Sequence, residues 1–532
     1  MAEGVIQRFR RAFRSPAKIK EEEKKRHADG PATDGKSKPE ETEHGGGKPN
    51  GTEKPQSVGF WSPELRQVRN RAFAKWIVTT AFLMAFILVV LSLYWGVFFN
   101  VQNRLHRLPV FVVDFDGVAP YDQTGNQPFV GPTITDLIQT TLSQGSPTIG
   151  WEVRPSSQYN NDPLQVRQAV YDLKAWAAII INPNATAMLY SAIANGNVSY
   201  EPLGACQLVY QAARDDTNWS SFLSPVITKL QTEAQTMVGR MWMNLVLQNA
   251  TEPTTLSNMR NVPQAINPAI GFSEFNLRPF YPYTGIPAVS IGLIYLIIIS
   301  FFSFSFYMPI HMQYIKPENH PPLKFPQLIA WRWLATISAY FMLSLAYSFV
   351  SMAFQLNFTA TNPITSTTQA TDTAFGNPVS YGHGTFLVYW MLNFFGMIAL
   401  GLACENMAMV VGQPWMGLFL IFWVITNVST SFYDIEIAPG FYRWGYAWPL
   451  HSSTSTPFYP SFALVIFPLI LRGKEANMLH AVVEGSRSIL FDLHSRIGVD
   501  FAILIGWGTV NTLVFPYACW FMSMYFSVLD FR

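Results

Sequence analysis

The residues able to do chemistry are few and scattered. Glu405, beside Asn406, falls in an otherwise apolar run, and a carboxylate at that depth is costly enough to suggest a proton or cation role in transport. It lies only about one turn from the end of its run, where helix capping or interhelical hydrogen bonding is the blander use. Arg332, just inside another apolar run, is either its ion-pair partner or an interfacial side chain that snorkels; the second is the plainer reading. Asp114, Asp116 and Gly117 close a β-branched run. Two carboxylates could ligate a hard cation, but a metal needs more oxygens than they supply, so strand-to-turn punctuation is the expected role. Asp434 and Glu436, with Pro439, Gly440 and Arg443, are expected to shape a re-entrant turn.

His311, His320, His383 and His451 show no metal-ligand spacing, and no set of nucleophile, base and orienter stands out. No catalytic residue, metal or cofactor is expected, and the chain does not read as an enzyme. An ATP-driven exporter needs a phosphate-cradling Gly-x-x-x-x-Gly-Lys-Ser/Thr loop. None is expected here, so any such energy must come from a partner.

The elements that would carry these residues are mostly membrane spans. Of 532 residues, 49% are hydrophobic and only 13% charged, about half the charge of an average soluble protein. Trp76 to Phe99 is uncharged and about 36 Å long as a helix, enough to cross a hydrocarbon core of about 30 Å. Further spans are expected at about 286–309, 331–354, 386–410, 415–432 and 501–522. The chain therefore reads as an α-helical polytopic membrane protein with six transmembrane helices. Lys and Arg crowd the stretch before the first span, with Arg66, Arg69, Arg71 and Lys75 next to it. By the positive-inside rule both termini are cytoplasmic.

Between helices 1 and 2, residues 101–285 are too long for a loop. Strand-like runs at 110–113, 150–153, 178–181 and 207–210 alternate with helix-like stretches at 133–143, 163–176, 185–195 and 221–248, so an extracytoplasmic α/β domain is expected. Sequons at Asn184, Asn197, Asn218 and Asn249 fall in it, and Asn357 falls in a later outer loop. Residues 1–75 form a basic tail, disordered from Glu21 to Ser57 by composition. Residues 433–500 form an outer re-entrant segment whose Arg443, Arg472, Lys474, Arg487 and Arg496 run against the charge rule, and 524–532 return to the cytoplasm. Residues 452 to about 480 interrupt an otherwise natural join and read as translated intron. Three cysteines give no disulfide framework, and the basic tail lacks the interleaved aromatics of a nucleic-acid patch.

Leu108-Pro-Val-Phe-Val-Val-Asp-Phe-Asp-Gly117 follows the first span. Trp176-Ala-Ala-Ile-Ile-Ile-Asn-Pro183, Gly292-Leu-Ile-Tyr-Leu-Ile297, Gly401-Leu-Ala-Cys-Glu-Asn-Met407 and Ala438-Pro-Gly-Phe-Tyr-Arg-Trp-Gly-Tyr-Ala-Trp-Pro-Leu450 come later. In this order they resemble the membrane part of ABC-2-type exporters and the phage-infection-protein group. More closely, they resemble the fungal nitrosoguanidine-resistance membrane proteins, a family carrying a domain of unknown function. The resemblance implies a plasma-membrane protein of resistance to alkylating agents and other toxic compounds, with a role in lipid distribution. It is expected to act in the bilayer as an exporter-like component, with an ATPase or flippase subunit or a second copy of the chain as candidate partners. The competing expectation is a non-transporting scaffold or regulator of pumps and flippases.

Overall fold

The computed structural model describes residues 59–530 apart from 123–126, 146, 250–252, 315–320, 322, 357, 359–380, 413–414, 432, 443–476 and 494–495. Residues up to Val89 and those from Val90 onward form separate units. The first holds most of helix α1 (Arg66–Trp95). Its apolar side chains, Trp76, Ile77, Leu88 and Val89 among them, are exposed, as the sides of a lipid-facing helix are.

In the second unit an α/β domain begins with β1 (Pro109–Asp114), α2 (Val130–Ser143), β2 (Gly150–Pro155), α3 (Pro163–Tyr171) and β3 (Ala177–Ile181). It continues through α4 (Ala185–Asn195), β4 (Cys206–Tyr210), α5 (Ser224–Asn249), α6 (Pro253–Asn261) and β5 (Phe272–Asn276). The strand order is β2-β1-β3-β4-β5. β1 pairs in parallel with both β2 and β3, β4 runs antiparallel to β3, and β5 is parallel to β4. Side chains alternate across β1. Val110 and Val112 join Ile179 and Leu208 under α2, α4 and α5, while Phe111 and Val113 join Ile180 and Val209 under α3. Burial on both faces is why these strands are nearly continuous apolar runs. Four of the strands lie where the pattern puts them. β5 was not expected, because Phe-Ser-Glu-Phe-Asn is an edge strand with one buried side chain. α3 stops five residues early, since Leu173 takes φ +62° and turns the chain into β3.

The remaining helices are α7 (Gly285–Val289), α8 (Ile291–Met312), α9 (Phe325–Ala353), α10 (Thr385–Val411), α11 (Met416–Ser431), α12 (Met478–Phe491) and α13 (Ile497–Asp530). α10 is the hub, packed against α8, α9, α11, α12 and α13. Small residues permit the approach: a Cβ on Gly401 would stand 2.6 Å from Ser300 Cβ, and one on Gly396 2.9 Å from a Val482 methyl.

Among the described residues five helices are long and apolar enough to cross a membrane. The stretch expected to cross at 415–432 holds the 16-residue α11, about 24 Å long and short for a core of about 30 Å. Its last turns carry Thr426, Asn427, Ser429 and Thr430, each bonded back to the carbonyl four residues earlier. Of the stretch read as translated intron, 452–476 lie outside the described residues. Asn477 to His480, at its end, are described. Asn477 caps α12 and bonds Thr430 and Ser431, and Met478 and Leu479 are buried in the bundle.

Asp114 lies at the C-terminal end of β1, where a Cβ on Gly131 would collide with its carboxylate. Burial raises its pKa from 3.8 to about 6, against a hydrogen bond from the Asp116 N–H that lowers it. A carboxyl group whose folded pKa is raised contributes stability below pH 4 that is lost as pH climbs to about 6. Asp114→Asn keeps the acceptor and removes that loss. The variant should match the wild type near pH 4 and exceed it at pH 7 by on the order of 2–3 kcal/mol. Thermal unfolding at both pH values is the check. A variant weaker at pH 7, in a protein stabilised by divalent cations, would restore the metal reading of this pair.

Candidate functional site

α9, α10 and α13 bring together residues far apart in sequence. Arg332 Nη2 donates to Glu405 Oε1 at 3.1 Å, and Thr336 Oγ1 donates to Glu405 Oε2 at 3.1 Å. Arg332 and Glu405 are 4% and 2% exposed, so the snorkelling reading of Arg332 is corrected to an interhelical ion pair. The guanidinium also reaches Cys519 Sγ at 3.6 Å and stands 5.6 Å from the Phe515 ring centroid. The next residue ties α10 to α13: Asn406 Nδ2 donates to the Asn511 carbonyl at 2.9 Å, and Asn511 Nδ2 donates to the Ala399 carbonyl at 2.8 Å. One turn of α10 thus carries a charge and an amide, both answered from neighbouring helices. Arg332 Nε and Asn406 Oδ1 are buried without a hydrogen-bond partner. Polar capacity remains inside the bundle, where a proton or small polar group could be held.

The other expected site residues are placed elsewhere. Asp116, 8% exposed, accepts from the Thr186 N–H (2.9 Å), the Thr186 hydroxyl (2.5 Å) and the Gly131 N–H (3.2 Å). It therefore joins the first turns of α2 and α4, a larger structural role than strand-to-turn punctuation. Gly117, at φ +75°, makes the turn that follows. Among the described residues no group of three His, Cys, Asp or Glu could hold a metal ion.

The sequons divide. Asn197 lies in the turn after α4, its Oδ1 accepting from the Ser199 N–H at 3.1 Å. Asn184 is the N-cap of α4, and Thr186 of its sequon is the residue bound to Asp116. Asn218 is fully buried and donates from Nδ2 to Asp215 Oδ2 at 3.1 Å, so it is withdrawn as a sugar acceptor in the folded domain. Asn249 ends α5, and Asn357 lies outside the described residues.

Sequence reasoning missed how the α/β domain is joined to the bundle. Arg278, just after β5, donates from Nε to the Asp492 carbonyl at 2.9 Å and from Nη2 to Asp492 Oδ2 at 2.8 Å. Asp492 ends α12 in the left-handed region, φ +52°. Farther back on α12, Arg487 donates to Glu484 at 2.9 Å and lies 3.9 Å from Asp215 of the domain. Burial raises the Asp215 carboxyl above its ordinary range, with Arg487 opposing the shift. Arg487 had counted against the expected topology; its charge is met by two carboxylates. The available signal was the charge after the fifth apolar run, where residues 433–500 hold eleven Asp, Glu, Lys and Arg, with Asp434, Glu484, Arg487, Arg496 and Asp500 among them.

The letters Gly30-Pro-Ala-Thr-Asp-Gly-Lys-Ser37 spell the P-loop spacing, which corrects the expectation that the pattern is absent. They lie outside the described residues; a P-loop needs a strand before it and a helix after it.

The family described as "Protein of unknown function (DUF3533)" matches residues 79–456. The chain belongs to this family. The match begins inside α1 and takes in the whole α/β domain and the helices through α11, so Arg332, Glu405 and Asn406 of this DUF3533 protein fall within it. The chain is also 26% identical over 510 residues to the uncharacterized endoplasmic reticulum membrane protein YJR015W of Saccharomyces cerevisiae, covering 92% of this chain and 87% of the relative. No solved structure matches. This DUF3533 chain is a membrane protein.

Removing one partner of a buried ion pair strands the other, at about 3–5 kcal/mol, whereas replacing both with apolar groups is often neutral. Arg332→Leu and Glu405→Leu should each lower the unfolding midpoint in detergent sharply, and the double variant should recover most of the loss. Additive losses would mean that the two side chains are stabilised independently.

Proposed function

We propose that this DUF3533 protein is an exporter-like membrane component that redistributes amphipathic molecules and has no ATPase of its own. Helix α12 carries the reading. Asn477 binds its start to the end of α11, and Arg278 binds its end to the α/β domain. Between these points it packs on α10 and α13. A displacement of the domain on capturing a ligand therefore passes directly to α10, the helix that carries Glu405. This arrangement is in keeping with the resemblance to ABC-2-type exporters and nitrosoguanidine-resistance proteins, whose trait is lowered accumulation of toxic compounds.

The proposed topology puts the N-terminus in the cytoplasm and the α/β domain, residues 101–285, on the opposite side. α11 starts five residues after α10 ends and finishes beside α12, which supports a sixth crossing and a cytoplasmic C-terminus. The name of the yeast relative supports residence in the endoplasmic reticulum, whose lumen is topologically equivalent to the cell exterior expected from the sequence. A second reading, a non-transporting scaffold or regulator of pumps and flippases, is favoured by one observation: both Glu405 oxygens are engaged, by Arg332 and Thr336.

Two experiments follow. Purified protein in liposomes should speed the redistribution of a fluorescent phospholipid without any ATPase, and Arg332→Leu/Glu405→Leu should abolish this. Inertness relieved only by a pump or flippase partner would replace the transport reading with the regulatory one. For sidedness, Asn197 should carry endoglycosidase-sensitive sugar that Asn197→Gln removes, while Asn218 stays unmodified. A sugar-free domain that cytosolic protease digests in sealed vesicles would invert the topology.

A further inference from the structure

Helix α1 begins with positive charge that its own unit does not answer. Arg66, Arg69, Arg71 and Lys75 precede the uncharged run that starts at Trp76, and among the described residues before that run the one acid is Glu64. Arg66, Arg71 and Lys75 are exposed, and no described residue pairs with their side chains. Arg66 and Arg69 lie in the first turn of the helix, where the dipole disfavours positive charge. Arg71 and Lys75 stand one turn apart on one face, a like-charge spacing that weakens a helix. An anion beside them relieves both strains.

The chain ahead of the helix is turned back along it. Arg69 Nη1 donates to the Phe60 carbonyl at 2.9 Å, and its guanidinium stands 5.8 Å from the Phe60 ring centroid and 5.2 Å from that of Trp61. The Phe60 ring meets Phe73 edge-on, with centroids 6.2 Å apart. Phe60 is thus held at the level of a residue thirteen places later, and Trp61 beside it is 76% exposed. Position narrows the source of the anion. Counting back from Trp76 at 1.5 Å per residue puts Lys75 about 1.5 Å and Arg71 about 7.5 Å outside the uncharged run, which is the depth of a headgroup layer roughly 5–7.5 Å thick. Aromatic rings favour the same level.

We infer that this end of α1 is a docking surface for anionic phospholipids, with a headgroup phosphate bridging Arg71 and Lys75 and the Phe60 and Trp61 rings seated in the headgroup layer. The guanidinium takes two phosphate oxygens and the ammonium adds a point charge. A zwitterionic headgroup brings its own cation and leaves the excess of positive charge unanswered. The surface belongs to α1 alone and is independent of what the helical bundle moves.

The test uses the full-length protein in nanodiscs of phosphatidylcholine and phosphatidylglycerol in equal parts, with the lipids it retains in detergent counted by native mass spectrometry. The wild type should retain phosphatidylglycerol in preference. Arg71→Gln/Lys75→Gln should lower that preference by on the order of tenfold, Phe60→Ser/Trp61→Ser should lower it by less, and Lys229→Gln on the exposed face of α5 should leave it unchanged. Equal retention of the two lipids, or a preference that survives Arg71→Gln/Lys75→Gln, would overturn the surface. A preference untouched by Phe60→Ser/Trp61→Ser would overturn the part given to the aromatic rings. Free glycerol phosphate competing as well as the lipid would overturn the lipid as the source of the phosphate. Should the variants fail to fold, labelling of the wild type with a neutral acylating reagent decides. Lys75 should react more slowly in nanodiscs that contain phosphatidylglycerol than in phosphatidylcholine alone, while Lys229 reacts equally in both. Equal protection of Lys75 in the two membranes would give its partner to the chain's own acidic residues and overturn the proposal.

Discussion

The bundle depends on one constraint: α10 is surrounded by other helices, so each polar group it carries must be answered by a neighbour or left without water. Tyr389 meets Ser351, Asn393 meets Ser348, Glu405 meets Arg332 and Thr336, and Asn406 meets Asn511. Each of these contacts fixes the rotation of α10 against α9 or α13. Dispersion between apolar helices in lipid does not set register sharply; a ladder of polar contacts does. The glycines act with it, because Gly396, Gly401 and Gly508 bring the helix surfaces close enough for short side chains to reach across.

The same logic extends to the domain. An α/β sheet with both faces covered is stable without a membrane, so nothing in its own core requires it to be held to the helices. The requirement comes from α12, whose apolar positions belong to the bundle core while Arg487 and the capping Asp492 are bound to domain residues. Arg278 is nearly inaccessible and has its guanidinium engaged by Asp492 and the Leu277 carbonyl, so separating domain from bundle would expose α12 and strand a buried charge. The two parts are therefore coupled mechanically, which a transport cycle requires and which a regulator could use as well.

Much of this was legible along the chain. Apolar runs of span length and the alternation of strand and helix between 101 and 285 announce themselves through composition and period, and β1 to β4 lie where the pattern puts them. What escaped was non-local. Arg332 looks interfacial from its distance to the start of its helix, and only the approach of α10 shows that it is enclosed. β5 has one buried residue, Phe272, and takes its identity from pairing with β4. Asn477 to His480 look foreign to the flanking sequence because their partners, Thr430 and Ser431, are nearly fifty residues away. Asn218 satisfies the sequon rule, yet its amide is used inside the core. In each case sequence gave the chemical capacity of a residue, while burial and partners decided its use.

The α/β domain also shows why its own crevice is a poor candidate for the ligand. β1 is flanked by β2 and β3, so the chain reverses direction at its C-terminal end, the place where open α/β sheets bind ligands against helix N-termini. Here Asp116 already occupies that position, accepting from the first turns of α2 and α4 as a bound anion would. With the crevice closed by the protein's own carboxylate, the other cluster of charged groups is the one that lines a cavity at the opposite margin. There Asp215, Asp434 and Arg496 stand where the domain, α12 and the membrane helices converge.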